Sequence, residues 1–447
     1  MSPARFGLLV VLLGSLASIG QADEPPPVSF VIETIKVEGV RGSSAKIVVS
    51  ETLLRLGTAY TEAQLREALQ RVERLPFVVE ADFSLRRGSE RGRFELVITV
   101  RQTWPVYFGG TLGLARHDGP FGDPDDEAVL LPDIGGRVFF GGYNEVSATV
   151  RSVRFITRDG EGDEPLALDA AYRHHNLFGR HVVGSVFLLR AGSDSREGAE
   201  VAWPLSRASA LKAAFTQSRS EWKACAEPCS LEGSESTTSR VGLSWERDTT
   251  DDPFAPRKGS RIGSGLSYSD HSGRLLSDYD LWEPRFNPVT PETPPPVWFS
   301  EFDGDGFDLS LEGLRYWPAL RRASLGLGAK VIAGRGDGRT LYSRGTTTRT
   351  LEQSGQTVDA SVDAELVGVP GRLARGGTQV WWVARASAWG YTSSLDYAAD
   401  PPLGFTHATS QWGWARLSVG LAARGRWGIA RVELSYQYAF RGRLEVR

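Results

Sequence analysis

Residues 244–269 read SWERDTTDDPFAPRKGSRIGSGLSYS and have the pattern of a strand, an acidic turn and a second strand. Apolar residues alternate with small or polar ones for about ten positions around this turn. Asp248, Asp251, Pro253 and Gly259 supply the turn chemistry between the two runs. The pattern is typical of a tilted transmembrane β-hairpin, although soluble antiparallel sheets share it. The fold class therefore depends on whether the pattern repeats.

The pattern does repeat from Trp104 to the end of the chain, in about fifteen strand-like runs separated by turns and polar loops. The last run is the clearest, since Val432, Leu434 and Tyr436 share one face and polar residues share the other. Bacterial outer-membrane barrels have even strand numbers. We therefore predict an all-β transmembrane barrel at residues 104–447 with about 16 antiparallel strands, or about 12 if the weaker runs are not strands.

Two further features favour a membrane barrel over a soluble sandwich. The polar faces of many runs carry full charges, as a water-filled lumen permits. Aromatic residues also fall near strand ends, where the girdles at a membrane interface lie. These aromatic residues are Trp317, Trp381, Trp382, Trp412, Trp414 and Tyr438.

The N-terminus has the layout of a secretory signal peptide at residues 1–22. Arg5 precedes an apolar core at residues 6–16, and Gly20 and Ala22 place small residues before the expected cleavage site. Residues 23–27 (DEPPP) form a short linker. In an oxidising compartment Cys225 and Cys229 are expected to form a small loop disulfide, with a two-cysteine metal site as the alternative.

Residues 28–103 have the periodicity of a small α+β domain in the order strand, helix, helix, strand, strand. A first helix is predicted over residues 45–56, before Gly57. Thr61 and Gln64 form a capping box that starts the second helix, and the sequence Leu75-Pro76-Phe77 ends it. The strands are expected at residues 31–37, 78–85 and 94–100.

Composition excludes one class of partner and leaves others open. The 447 residues carry a formal net charge of −3, which is uninformative about partners. Basic blocks and nucleic-acid-binding motifs are missing from the sequence, so we expect no nucleic-acid partner.

The segment IETIKVEGV, the segment LLRLGTAYTEAQLREALQRVERLPFVVEADFSL and the segment FELVITV together resemble a POTRA domain, a periplasmic module fused to outer-membrane assembly barrels. Three barrel motifs resemble the BamA- and TamA-type assembly and translocation family: RDTTDDPFAPRKGSR, NLFG and DAEL. The residues that carry these motifs are Arg247, Asp248, Asp251, Pro253, Gly259, Asn176, Gly179 and Glu365.

The resemblance implies an outer-membrane protein that inserts or translocates unfolded outer-membrane or secreted clients, without enzymatic chemistry, cofactor or metal. It implies membrane lipid and periplasmic accessory proteins as further partners.

A POTRA sheet edge can bind an extended client by main-chain pairing, and residues 78–85 are the candidate edge. Phe77, Val78, Val79 and Phe83 are the candidate client contacts; the alternative is that Phe77 and Phe83 fill the domain core. The resemblance also implies a weak seam between residues 104–114 and 428–440, where Gly109, Gly110 and Gly113 would weaken packing.

Two departures from the family pattern favour a different role. The sixth external loop of the family carries an Arg-Gly-aromatic tip, and the nearest match here is Arg344-Gly345-Thr346, which lacks the aromatic residue. The strand after DAEL lacks the family's Asp. The alternative function is therefore a passive outer-membrane pore or surface antigen that retains the fold.

Other polar clusters point to structural roles. His174 and His175 lack a third ligand at metal-binding spacing and are expected at the lumen or rim. Asp303, Asp305 and Asp308 have the carboxylates of a calcium loop but not its spacing or closing Glu, so a polar external turn is the better interpretation.

Overall fold

A computed structural model of the chain describes residues 28–40, 42–119, 122–152, 154–156, 166–223, 231–277, 298–344, 347–368, 371–373, 378–400 and 407–446. The predicted signal peptide and linker, the two cysteines and Gly345 lie outside the described residues.

The first part of the chain forms an α+β unit, called here the N-terminal unit. Its elements are β1 (Ser29–Glu38), α1 (Ser43–Glu51), β2 (Ala59–Thr61), α2 (Glu62–Glu73), β3 (Val78–Arg87) and β4 (Arg93–Gln102). The sheet order is β2-β1-β4-β3, with β1 and β4 parallel and the other pairs antiparallel. One core joins the helices to the sheet, and its most buried members are Phe77, Ile32, Ile47, Leu65 and Ile98.

The helices of the N-terminal unit begin and end on local side-chain signals. Thr61 Oγ1 accepts a hydrogen bond from the Gln64 backbone N–H at 3.3 Å, and Gln64 Oε1 accepts one from the Thr61 N–H at 3.0 Å. This capping box starts α2, as the sequence predicts. The prediction that α1 extends to residue 56 is wrong. Thr52 Oγ1 donates to the Val49 carbonyl and Leu53 adopts φ of 54°, so the helix ends at Glu51.

The rest of the chain forms a closed barrel. Its strand segments are β5 (Val106–Gly119), β6 (Gly122–Phe140), β7 (Asn144–Ser152), β8 (Arg154–Ile156), β9 (Leu166–Leu177), β10 (Val182–Ala191), β11 (Asp194–Pro204), β12 (Ser209–Lys223), β13 (Leu231–Asp248), β14 (Gly259–Ser277), β15 (Trp298–Leu320), β16 (Ala323–Arg344), β17 (Thr347–Gly368), β18 (Gly371–Leu373), β19 (Thr378–Asp400), β20 (His407–Gly425) and β21 (Gly428–Val446).

The described segments make fifteen strands around the barrel, because β8 continues β7 along β6 and β18 continues β17 along β19. Sequential neighbours are antiparallel, and β21 pairs with β5 in parallel. The predicted number of about 16 is therefore close to the fifteen strands that the described segments form. In a closed antiparallel series, an odd number gives the first and last strands the same direction, so the barrel must close with a parallel pair.

The two faces of the barrel wall differ in chemistry. Large apolar side chains cover the outside, while Arg416 and Glu433 form a 3.1 Å ion pair on the lumenal face. The outward residues are between 46% and 61% exposed in the isolated chain, as a lipid-facing surface would be. They include Val241, Leu243, Ile262, Leu266, Phe307, Leu309, Leu327, Val362, Leu417, Val419, Leu421, Val432 and Leu434. Among the described residues, no helix has the length and apolar character needed to cross a membrane.

The aromatic residues predicted for membrane girdles divide between the two faces. Trp317, Trp382 and Tyr438 point outward and are 39%, 37% and 50% exposed. The girdle assignment of the other three is wrong. Because neighbouring residues of a strand point to opposite faces, the outward position of Trp382 turns Trp381 inward, and Trp412 and Trp414 share the lumenal face with Arg416. The six aromatic residues therefore do not form one girdle.

The parallel closure predicts a specific cross-link. Val432 lies opposite Leu112 in the β21–β5 register, and neighbouring strands are about 5 Å apart, which a disulfide can span. In a chain with Cys225→Ser and Cys229→Ser, we expect Val432→Cys with Leu112→Cys to form a disulfide on mild oxidation, read on non-reducing gels. Val432→Cys with Leu114→Cys is the matched control, since it is two residues out of register. Equal yields from both pairs would contradict the parallel seam.

Candidate functional site

The hairpin between β13 and β14 is held by three aspartates that cap its backbone. Asp248 Oδ1 accepts the Thr250 backbone N–H at 2.9 Å, and Asp251 Oδ1 accepts the Arg257 N–H at 2.8 Å. Asp252 Oδ1 accepts the backbone N–H groups of residues 254 and 255 at 2.7 and 2.9 Å. The carboxylates predicted in this turn thus stabilise its conformation.

Gly259 closes the same hairpin at a position that only glycine fits well. Its φ is +107°, and a Cβ at this position would lie 2.3 Å from the Thr249 carbonyl oxygen. Pro253 contributes its carbonyl, which accepts a hydrogen bond from Arg261 Nη2 at 2.8 Å. The Pro and Gly of the motif are therefore explained by backbone geometry.

Arg261 pairs with the motif aspartate, whereas Arg247 does not. Arg261 Nε lies 3.1 Å from Asp248 Oδ2, while Arg247 is exposed and shares the outward face with Val241 and Leu243. Arg261 is not among the residues that carry the motif in the sequence. Its position directly opposite Asp248 in the hairpin register is the signal that could have identified it.

Asp248 also joins the hairpin to the N-terminal unit. Arg74, at the end of α2, lies 3.2 Å from Asp248 Oδ1 and donates to the Asp248 carbonyl at 3.3 Å. Both side chains are about three-quarters buried, with 26% and 23% exposure. A single carboxylate therefore links Arg74 of the unit to Arg261 of the barrel.

The NLFG turn between β9 and β10 forms a second contact with the unit. Asn176 Oδ1 accepts the His181 N–H at 2.7 Å, and Gly179 adopts φ of 68°. His181 Nδ1 then lies 3.0 Å from Ser50 Oγ of α1. Phe178, at the tip of the turn, is 87% exposed. The motif thus shapes a turn that meets the N-terminal unit.

Five turns at one end of the barrel contact the N-terminal unit, and we call this the docked end. Phe77 packs edge-on against Phe139 near the end of β6 with ring centroids 4.7 Å apart, and the Gly142 N–H of the β6–β7 turn donates to Ser43 Oγ at 3.2 Å. Arg207 of the β11–β12 turn lies 3.8 Å from Glu67 of α2. Arg424, before the β20–β21 turn, donates to the Val78 carbonyl. The unit therefore lies across the mouth of the barrel at this end.

A buried carboxylate, Glu145 of β7, organises the lumenal wall near the docked end. It is fully buried and lies 2.8 Å from Arg137 Nε, 2.8 Å from His175 Nε2 and 3.4 Å from Arg173 Nη1. His174 Nδ1 accepts the Asn176 N–H at 3.2 Å. The two predicted histidines therefore belong to hydrogen-bond networks of the wall and the turn. Within the described residues, no group of three metal-ligating side chains occurs.

Glu365 of the DAEL motif holds a second lumenal network. It accepts a hydrogen bond from the Tyr316 hydroxyl, and its Oε2 lies 2.9 Å from Arg385 Nε. Only 13% of its side chain is exposed. Glu365 thus ties three strands, β15, β17 and β19, across the inside of the wall.

Strand β3 is an edge of the N-terminal sheet, but its first half is covered. Phe77, Val78 and Val79 are at most 2% exposed, and Phe83 packs against the core. These candidate contact residues therefore have buried or half-buried side chains. Residues 82–87 are the part of β3 that reaches the surface, and four of them are exposed: Asp82, Ser84, Arg86 and Arg87.

The predicted seam lies between β5 and β21, and glycines permit close approach of its backbones. The register runs from Ala430↔Gly110 to Tyr438↔Asp118. A Cβ on Gly109 would lie 2.8 Å from the Ile429 carbonyl oxygen, and one on Gly428 would lie 2.0 Å from the Phe108 carbonyl oxygen. Gly113 pairs with Glu433 in the same ladder. Close approach of the backbones beside the β20–β21 turn thus explains Gly109 and Gly428.

The loop-six segment takes a different form from the one that the resemblance implies. Arg344 ends β16 and pairs with Thr347 at the start of β17, so only two residues connect the strands. Asp303 and Asp305 lie within β15 rather than in a turn, opposite Arg339 and Asp337. Where the resemblance implies a long loop before DAEL, the described residues form a β-hairpin whose pairing extends to Arg344 and Thr347.

Comparison with known proteins gives distant structural similarities. No protein-family model and no curated protein sequence matches the chain. A crystal structure of BamA from Haemophilus ducreyi lacking POTRA domains 1–3 is 9% identical, with a TM-score of 0.32, and the match covers 86% of this chain and 80% of that one. CdiB from Acinetobacter baumannii is 10% identical, with a TM-score of 0.32, over 92% and 74% of the chains. The unliganded ferric citrate transporter FecA is 9% identical, with a TM-score of 0.26, over 81% and 76%. Similarities this low do not establish a shared function.

The contacts of Asp248 with Arg74 and Arg261 lead to a prediction about docking of the N-terminal unit on the barrel. Asp248→Asn keeps the shape of the side chain but removes the charge that Arg74 and Arg261 share. We expect docking of the N-terminal unit to weaken by about 1.5–3 kcal/mol, as for a hydrogen bond to a charged group. Native-state hydrogen exchange of the α2 amides measures this change. Asp270→Asn, an exposed aspartate on β14, is the control and should leave α2 protection unchanged.

The buried carboxyl group of Glu73 should make the stability of the N-terminal unit depend on pH. Burial, reinforced by nearby Asp252, raises the pKa of Glu73 from 4.5 to about 7. The folded state therefore holds a proton that the unfolded chain releases. Its contribution to stability is fully present below about pH 4.5 and is lost as the pH rises through about 7. We expect α2 protection to fall over this range in the native chain and to fall less in Glu73→Gln.

The same hydrogen-exchange series contains its control. Glu62→Gln changes an exposed carboxylate at the start of α2, which forms an i,i+4 pair with Arg66. Comparing each variant with the native chain at the same pH removes the intrinsic pH dependence of exchange. A Glu62→Gln profile as flat as that of Glu73→Gln would contradict the assignment.

Proposed function

We propose that the chain is an outer-membrane protein that inserts or translocates other proteins, with the N-terminal unit serving as a periplasmic POTRA domain. The apolar outer surface of the barrel supports a position in lipid. The docked end has short turns, as the periplasmic side of bacterial barrels does. The proposal assigns no catalytic chemistry and no cofactor to the chain. Its partners are membrane lipid, unfolded client proteins and periplasmic accessory proteins.

The observation that carries the proposal is the open sheet edge beside the barrel mouth. Residues 82–87 of β3 lie at the edge of the β2-β1-β4-β3 sheet and alternate between exposed and half-buried positions. An edge strand offers unpaired N–H and C=O groups that can bind an extended segment of almost any sequence. We therefore move the client-binding role from the buried residues 77–79 to residues 82–87.

The seam between β5 and β21 supports the second part of the proposal, in which a captured client is transferred into the membrane. The pairing of β21 with β5 ends at Tyr438, although β21 continues to Val446. Within the described residues, the last part of β21 has no partner on the β5 side. Because β21 runs away from the docked end, this free edge lies at the opposite end of the barrel, where it could extend the pairing of a client strand that has entered along the seam.

The hairpin between β16 and β17 favours the alternative function. Its two-residue connection after Arg344 replaces the loop whose tip folds into the lumen in the family that the sequence resembles. A barrel without this loop could act as a passive pore or surface antigen. The two functions differ in whether client proteins depend on the chain.

Photo-cross-linking tests the edge. A photoreactive benzoyl-phenylalanine at Ser84 or Arg86 should cross-link to an unfolded outer-membrane barrel segment, because both positions are exposed on the free half of β3. The matched control is the same group at Arg66, which is exposed on α2 of the same unit. We expect cross-linked product from β3 and little from α2. Equal yields would show that capture does not use the edge.

Depletion of the protein in its host tests the function itself. If a defined set of barrel or secreted proteins decreases in the outer membrane while their transcripts are unchanged, the assembly or translocation function is supported. If only this protein decreases, the passive pore or surface antigen is favoured. Stable high conductance of the purified barrel without clients would support the pore.

A further inference from the structure

Four aromatic side chains form a cluster on the lumenal face of β19 and β20, which we call the aromatic cluster. Its members are Trp389, Tyr391, Trp412 and Trp414. The Trp389 ring lies 4.6 Å from Trp412 in an edge-to-face arrangement, and 6.2 Å from both Tyr391 and Trp414 in near-parallel arrangements. Tyr391 lies 5.5 Å from Trp412. Each ring therefore contacts another, and the four make one continuous surface.

Strand register places this surface inside the barrel, away from the docked end. Trp389 lies opposite Trp414, and Tyr391 lies opposite Trp412. The outward face of β20 belongs to Leu417, which is 61% exposed. Since β20 runs toward the docked end, Trp412 is the member farthest from it. The cluster therefore lines the lumen toward the opposite end of the barrel.

The aromatic cluster is not a closed core. Trp412 is 48% exposed, so a large part of its ring faces the lumen. By contrast, Trp381 near the docked end is 5% exposed and packs against Ala255, Tyr316 and Val367. The same strands thus bury one tryptophan fully and leave another open, which is unexpected for rings that serve only to pack the wall.

A charged recess adjoins the aromatic cluster on its side nearer the docked end. The recess has a volume of about 450 Å³, and Trp414 forms part of its wall. Arg416 pairs with Glu433 at 3.1 Å, and Arg385 pairs with Glu365 at 2.9 Å. Four cationic and four anionic side chains line the recess in total. Its charges are balanced and largely paired, so it has no strong preference for an ion of either sign.

We propose that the aromatic cluster and the charged recess together bind a neutral oligosaccharide. A pyranose ring has a C–H face that stacks on an indole ring, and a rim of hydroxyl groups that need donors and acceptors. The open ring of Trp412 supplies the flat surface for stacking, and the guanidinium and carboxylate groups of the recess supply the hydrogen-bond donors and acceptors. A purely apolar ligand would displace water from the charged groups without offering them a hydrogen bond in return. An ion would gain little from the balanced charges.

The inference does not depend on the proposed assembly function, since it concerns only the lumenal face of the barrel. A free oligosaccharide and the glycan of a surface glycolipid present the same chemistry to this site. Both could reach it from the end opposite the docked unit.

Calorimetric titration of the full chain with maltohexaose tests the proposal. The protein is held in an amine-oxide detergent, because detergents with sugar headgroups would compete. We expect saturable binding that weakens at least about tenfold in Trp412→Ala, a loss of about 1.4 kcal/mol. Trp382→Ala removes an outward-facing tryptophan from β19 and is the matched control. It should bind maltohexaose as the native chain does.

A second variant separates loss of the ring from loss of the fold. Trp412→Leu keeps an apolar side chain but removes the flat surface, so its binding should weaken like that of Trp412→Ala. Heat-modifiable migration on gels verifies that each barrel is folded. No binding to the native chain, equal losses in Trp412→Ala and Trp382→Ala, or unchanged binding in folded Trp412→Leu would overturn the proposal.

Two further probes identify the ligand class and its source. Polyethylene glycol of similar length should not bind, since it lacks hydroxyl-bearing rings; an equal response to it would overturn the proposal. Liposomes that contain lipopolysaccharide distinguish the sources. Competition between these liposomes and maltohexaose would assign the site to a lipid-linked glycan, and binding of maltohexaose without competition would assign it to a free chain.

Discussion

In the proposed membrane location, the structure depends on the requirement that backbone groups in contact with lipid be hydrogen-bonded, since each unpaired group costs several kcal/mol there. A closed ladder is the β-sheet solution to this requirement. With fifteen strands, closure requires β21 to lie parallel to β5, and the residues that meet at this ladder follow from that geometry. Gly109 and Gly428 are needed because the backbones approach too closely there for a Cβ. The start of β5 then fixes where the N-terminal unit can attach.

Much of the N-terminal unit could be predicted from the sequence because its signals are local. Thr61 and Gln64 are three residues apart, and their reciprocal bonds need nothing from elsewhere in the chain. The order of helices and strands is likewise a matter of periodicity within short windows. The end of α1 was less predictable, because it depends on Leu53 adopting a positive φ, which apolar residues seldom do. The alternation of the barrel strands was also visible, but the parity rule changed a direct estimate of about fifteen runs to sixteen.

The features that sequence could not reveal join residues that are far apart. Arg74 and Asp248 are separated by 174 residues, and no local pattern indicates that they meet. The face to which each tryptophan points could not be predicted for a different reason. The period of a strand is two, so a displacement of one residue moves a side chain from the outer face of the barrel to the lumen. Trp381 and Trp382 are adjacent in sequence. Their proximity to a strand end indicated their height along the barrel axis, but not whether each side chain points outward or into the lumen. Only the register separates them.

The two ends of the barrel suggest different routes for a client under the proposed function. Passage through the docked end would have to break the contacts of Arg74, Phe77 and Arg424 with the turns, but the groups exposed in this way would face water. Opening the seam would instead expose the β5 and β21 backbones to lipid, at a cost of several kcal/mol per group. A client strand that replaces the lost pairing removes most of this cost. The seam would therefore stay closed in the absence of a client and open by strand exchange, so that the same constraint which closes the barrel makes its opening dependent on the client.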